Sequence, residues 1–412
     1  MKNCFLRLAV CALLFATITA LHSEPPPLHS HRVFKIGVLA SLTGGSGNSL
    51  GRDTVAALQI AADQLDADAK ANRGGYRFHL FVRDTQQDPV KALAAIKDLD
   101  KRGVQIIVGP QTSSEVAMIK SFADAHNILV ISQGSTASSL AVAGDNIFRF
   151  CPNDKREADA IVALMQRDSI HAIVPLWRND AGNNGLHDSV KAAFENVGGT
   201  VTSGFQYQTI TTDFSAATAS VASQIQSLVT AGAAPNSVAI YSAAFDEIVD
   251  VFHSAGANTT LSSTRWYGSD GVALSAALTG DASAAGFAAS VYYPNPTFGL
   301  DDALQNLWQP VANAIEARTG ITPDAFALSA YDALFVVERA LRTTGNLKDF
   351  ASFKSAFVDA ADNYSGITGS TALDAAGDRL SADFDFWAVR QVSGTFSWVR
   401  IGAYTNGTIT LF

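Results

Sequence analysis

Two places in this 412-residue chain put small hydroxyl residues where chemistry could begin. The apolar run QIIVG stops at Pro110-Gln111-Thr112-Ser113-Ser114, and the run ILVIS stops at Gln133-Gly134-Ser135-Thr136. Each run has strand character, and a helix start follows it. In a parallel sheet both loops gather at the C-terminal edge, where open α/β folds bind ligands. Hydroxyls and free N–H groups there suit a carboxylate or another small polar group. Ser113 and Thr136 are the leading contacts, with plain helix capping as the competing reading. A third place is Tyr267-Gly268-Ser269-Asp270-Gly271. Asp270 there could meet a cation in a dry cleft or simply form an Asp-Gly turn.

The remaining candidates narrow the chemistry. No nucleophile elbow or triad stands at a usable spacing, so binding explains the acids and hydroxyls better than catalysis does. The eight histidines are scattered, with no pair at metal-ligand spacing beside a third partner. Gly44-Gly45-Ser46-Gly47 lies between a strand and a helix, but the next glycine is Gly51, so dinucleotide-loop spacing fails. Those glycines are expected to let the loop hug a cleft. No metal and no cofactor is expected. The formal charge is −9 with no basic cluster, which argues against nucleic acid as partner.

The elements that must position these loops read as an alternating series. VFKIGVLASL is a strand, GRDTVAALQIAADQLDADA an amphipathic helix and YRFHLFVRDT a strand. DPVKALAAIKDLDKRG opens at an Asp cap with Pro in the first turn and closes at Gly103. QIIVG, a helix around 113–126 and ILVIS complete a βαβαβαβ run, which a doubly wound parallel sheet satisfies most simply. A second series of similar length restarts after Arg149-Phe150-Cys151-Pro152. Later come two more helices and a tail, DFDFWAVRQVSGTFSWVRIGAYTNGTITLF, whose alternation around Ser-Gly and Asn-Gly predicts antiparallel hairpins.

The first 23 residues read as a secretory leader: Lys2 and Arg7, an apolar centre over 8–16 and a small-residue exit over 17–23. The apolar stretch is short for a membrane span, which takes about 20 residues. Residues 24–32 read as a flexible lead-in. Cleavage would remove Cys4 and Cys11 and leave Cys151 alone, read as a buried small side chain, with a charge of about −11.

The series resembles exported solute-binding proteins of the branched-chain amino acid and amide type over residues 33–400. The resemblance rests on IGVLASLTGGSGNSLGRDTVAALQIA, DTQQDPVKALAAIKDL, VGPQTSSEV, ISQGSTASSL, FRFCPND, YGSDG, AYDAL and GITGS with the later GDR. It implies an α/β fold of two doubly wound parallel-sheet lobes joined by three crossovers, the type 1 periplasmic binding fold, with ligand between the lobes. The lobes would be 33–150 with about 287–362, and 151–286 with about 363–412. Ser113, Gly134, Ser135 and Thr136 would hold the ligand carboxylate and amine, and Asp270 its ammonium. Tyr241 and Phe245 fall in a stretch that packs on the ligand in the family. Trp177, Asn184 and Leu50 are further wall candidates, at positions where this chain departs from the family pattern. Relatives often carry Tyr-Gly where this chain has Asn184-Gly185, and an aromatic where it has Leu50.

The implied function is a periplasmic receptor that captures a small amino acid or amide ligand by lobe closure. It would act as a monomer and deliver the ligand to an ABC transporter permease. A sensory module with a signalling partner is the second reading, and an enzyme the third.

Overall fold

Buried apolar runs joined by amphipathic helices fold here into two parallel sheets. The computed structural model describes residues 32–43, 48–71, 76–381 and 383–412. The expected leader, all of the lead-in except Arg32, and the glycine loop 44–47 lie outside the described residues, as do the side chains of 48–50.

The first lobe runs through β1 (Arg32–Ala40), α1 (Asn48–Ala71), β2 (Tyr76–Asp84), α2 (Pro89–Lys101), β3 (Ile106–Val108), α3 (Ser113–Ala125), β4 (Leu129–Ser132) and β5 (Ile147–Arg149). Its sheet has the order β2-β1-β3-β4-β5, parallel throughout. The strands β3 to β5 are buried along their whole length, which explains their unbroken apolar character.

The second lobe runs through α4 (Asp154–Arg167), β6 (Ala172–Arg178), α5 (Ala181–Asn196), β7 (Thr200–Val201), β8 (Phe205–Tyr207), α6 (Ser215–Thr230), β9 (Val238–Ala243), α7 (Ile248–Gly256), the single turn α8 (Thr259–Ser262), β10 (Arg265–Tyr267), α9 (Ala276–Gly280) and α10 (Ala282–Ser290). Its parallel sheet has the order β10-β9-β6-β7, with β8 also on β6. Next come β11 (Asn295–Phe298), α11 (Gln305–Thr319), α12 (Ala325–Thr344), α13 (Phe350–Asp362), the small pair β12 (Ser365–Gly366) and β13 (Gly369–Ser370), then β14 (Phe384–Val392), β15 (Thr395–Thr405) and β16 (Thr408–Leu411). The tail forms the expected antiparallel hairpins, extended by β11 into the order β11-β14-β15-β16.

Core membership shows where the chain crosses. One core joins strands β1 to β5 with α1 and with Ile315, Leu328, Leu334, Phe353, Phe357 and Leu373. Another joins Val174 and Ile240 with Phe287, Val291, Tyr293 and Val389. Phe287, Val291 and Tyr293 thus pack with the second sheet, and Leu373 packs with the first. Phe287 meets Phe252 and Trp266 edge-on or tilted, while Tyr364 stacks on Phe335 of α12.

The crossings are tied together by backbone. Arg149 N–H donates to Gly377 (2.9 Å), Arg379 N–H to Arg149 (3.1 Å) and Gly299 N–H to Asp383 (2.8 Å). Buried Arg149 and Asp378 form a two-point ion pair on the same seam, and Arg149 Nη1 also donates to the Ala137 carbonyl at 2.6 Å.

Candidate functional site: the cleft between the lobes

The loops after β3 and β4 meet at the sheet edge. Thr112, one residue before Ser113, is the N-cap of α3. Its hydroxyl accepts from the Glu115 N–H, and Glu115 returns a bond in a capping box. Ser113 is thus relieved of capping. It is buried, and its Oγ accepts from the Ala137 N–H and from Ser135 Oγ, each at 3.1 Å. With two bonds accepted, its own proton is left to donate.

The expected supply of free N–H groups is smaller than the loop pattern predicts. Gly134 and Ser135 N–H both go to Ser132 Oγ (3.4 and 3.0 Å), Ala137 N–H goes to Ser113, and Ser138 N–H goes to Asp154 Oδ2 (3.1 Å). The turn rigidifies itself at the expense of donors. A side chain at Gly134 would collide with Gln111, whose Cγ would lie 2.6 Å from the new Cβ. Thr136 turns its hydroxyl toward Asp154.

The second lobe brings its own groups to this edge. The N-terminus of α5 lies over the first-lobe loops: a Cβ on Gly182 would sit 3.8 Å from Ser113 Oγ, and one on Gly185 would sit 3.3 Å from the Ala137 Cα and 2.1 Å from Asp154 Oδ2. Asp270, half-buried after β10, donates its N–H to Glu157 Oε1 at 3.0 Å, and the two carboxyls face one another. Burial pushes Asp270 up to about 6 and Asp154 up to about 7, and it raises Glu157 well above the usual carboxyl range with Asp270 adding repulsion. Phe245 lies beside Asp270: its ring would be 2.9 Å from a Cβ on Gly271, and the Arg178 guanidinium sits over it at 5.4 Å. Tyr241 lies within β9 and is buried.

Trp177 and Asn184 are brought to each other. The indole N–H of Trp177 donates to Asn184 Oδ1 (3.1 Å), and its ring stacks on His187 at 3.8 Å. Asn184 is further held by Gln206 and Asn179, so its amide serves the second-lobe rim. Leu50 lies in the first turn of α1, with its side chain outside the described residues. Cys151 is buried, with its Sγ 3.4 Å from the Ser135 carbonyl, in keeping with the small buried role expected of it.

Asp154, Glu157 and Arg149 were missed in the sequence. Asn153 followed by Asp154 and Glu157 is a helix start, and a cap with acids in the first turn accounts for those residue types without a site. Several polar atoms on the cleft edges have no partner among the described residues: Ser41 Oγ, Gln111 Oε1 and Gln133 Oε1 at strand ends of the first lobe, and Asp154 Oδ1, Tyr241 Oη and Ser269 Oγ in the second. Buried polar atoms left without partners are where a bound molecule is expected to supply them.

Known proteins share this architecture. Residues 33–395 match the family model described as periplasmic binding protein. An uncharacterised protein of Methanocaldococcus jannaschii is 24% identical over 393 residues, covering 91% of this chain and 90% of that one. A Leu/Ile/Val-binding protein of Rhizobium johnstonii is 25% identical over 387 residues, covering 91% and 96%. Among solved structures, the branched-chain amino acid transporter substrate-binding protein LivJ of Streptococcus pneumoniae, in complex with isoleucine, superposes with a TM-score of 0.70 at 19% identity. That match covers 90% of this chain and all of LivJ.

Proposed function

We propose, from the premise that this chain belongs to the periplasmic binding protein family, that it captures an amino acid or amide-like ligand outside the cytoplasm and delivers it to an ABC transporter permease. The observation that carries the reading is a hydroxyl and a carboxyl at one cleft: Ser113, with a proton to give, in the first lobe, and Asp270 in the second. Such a pair suits a molecule with a carboxylate or carbonyl at one end and an amine at the other. In a dry cleft both contacts are charge-assisted. Closure of the lobes would bury the ligand and create the surface that a permease reads. The expected leader at residues 1–23 supports export.

The test is a thermal-shift panel of α-amino acids and amides. Ligand binding to the folded state alone stabilises by about 2.7 kcal/mol at a hundred times Kd. At least one panel member should raise the melting temperature, and Asp270→Asn should abolish the shift for amine-bearing members. Unchanged binding of the best α-amino acid in that variant would sink the assigned role of Asp270.

A further inference from the structure

Three carboxyls meet on the second-lobe wall. Asp154 and Glu157 come from the first turn of α4, and Asp270 from the loop after β10. Asp154 and Glu157 are buried, at 0% and 2% exposure. Each of the three acts electrostatically on the other two. Burying like charges together is costly unless cations or protons compensate.

The compensation within the chain is thin. Arg149 reaches Asp154, but its guanidinium is already held by Asp378 and by the carbonyls of Ser135 and Ala137. The other titratable groups that face the cluster among the described residues are Tyr241 of β9, Cys151 of the first crossing and Asp324 at the N-cap of α12. None of them brings a positive charge.

Two further atoms point into the same place without partners. Tyr241 Oη belongs to a side chain only 1% exposed and interacts with all three carboxyls. Asp154 Oδ1 is also unpaired. No group of three or more such side chains among the described residues is placed to hold a metal ion, so an organic cation is the fitting occupant. A nitrogen with several N–H groups satisfies a hydroxyl and carboxylates together, as one metal ion here would not.

We propose that this wall is built for more positive charge than one α-ammonium brings, and that the ligand is a dibasic amino acid or a guanidino relative of one, selected by Glu157. The inference rests on the amino acid reading above. The ligand carboxylate meets Ser113, one cationic nitrogen meets Asp270, and the second meets Glu157, Asp154 Oδ1 and Tyr241 Oη. In the unliganded protein Glu157 carries a proton shared toward Asp270. On binding, that O–H bond breaks, the proton leaves to buffer, and the carboxylate pairs with a ligand N–H.

Calorimetry on the full mature protein in two buffers of different ionisation enthalpy tests this, with L-arginine, L-lysine, L-ornithine, L-leucine and L-isoleucine as probes. One dibasic probe should bind at least ten-fold more tightly than leucine or isoleucine and release at least one proton at neutral pH, from Glu157 and in part from Asp154. Glu157→Gln keeps the shape and the acceptor for the Asp270 N–H. It should cost the dibasic probe at least ten-fold in affinity and lower the proton release by about one. The wild-type proton count needs no variant, so it holds whether or not the substitution folds. Equal or tighter leucine or isoleucine binding, a dibasic probe bound without proton release, or an indifferent Glu157→Gln overturns the inference. If leucine or isoleucine then also depends on Asp270, the amino acid reading survives it. A panel in which no probe binds overturns the inference, and the amino acid and amide reading falls with it only if the wider thermal-shift panel is also silent.

Discussion

At the scale of single residues, the cleft is governed by where protons sit. Asp154 is an acid whose carboxyl is raised from 3.8 to about 7, so the folded state holds its proton more tightly than the unfolded chain does. Its contribution to stability is complete below the unfolded value and is lost as pH rises through about 7. Asp53, Asp270, Asp324 and Asp385, each raised to about 6, act in the same direction. The unliganded protein should therefore melt higher at pH 5 than at pH 7.5, and Asp154→Asn should narrow that gap. Melting curves of the two proteins across that range decide it, and an unaltered gap would show that Asp154 does not titrate there. This chemistry was only half legible in the sequence. Ser113 and Asp270 stood out through the resemblance, because capping and an Asp-Gly turn account for those residue types equally well. Glu157 did not, because an acid in the first turn is also what any helix start favours.

Among elements, the decisive contact is the approach of α5 to the turn after β4. The expected βα alternation accounts for the existence of both elements, since periodic burial is written in the residues themselves. The way one lobe leans on the other is not periodic, and it depends on the absence of a side chain at Gly185. A methyl group there would meet Asp154 Oδ2 and the Ala137 Cα. Overpacking of that kind typically costs about 1–3 kcal/mol when it cannot be relieved. The Asp154 contact lies within the second lobe, where opening the cleft cannot relieve it, so Gly185→Ala should lower the stability of the unliganded protein by that order and, by displacing Asp154, weaken ligand binding by about ten-fold, taking about 1.4 kcal/mol per decade. Urea unfolding alongside calorimetry reads both effects. A variant that unfolds and binds as the parent does would refute the contact.

Across the whole molecule, Arg149 and Asp378 join the turn after β4 to the last crossing. They lie 229 positions apart, so no spacing rule could have paired them. Removing one member of a buried pair leaves the other charged and unpaired, which costs about 3–5 kcal/mol. Arg149→Ala should lower stability by that order in urea unfolding, and a loss under about 1 kcal/mol would mean that water replaces the guanidinium. The crossings themselves were expected from the resemblance, while their positions needed the cores. Phe287 packs in the second core and Tyr364 against the first.

That interleaving sets an order of assembly. The first core lacks its α11 to α13 cover until residues up to Leu373 are available, and the second lacks Val389, with Phe384 and Phe386 closing its neighbour. Neither half of the molecule is finished while the ribosome is still adding the closing hairpins. Contacts so distant in sequence also form slowly, because a long loop must close before they are rewarded. A nascent chain of this design stays threadable until its final stretch arrives, the condition under which a polypeptide can pass a membrane unfolded and take shape on the far side.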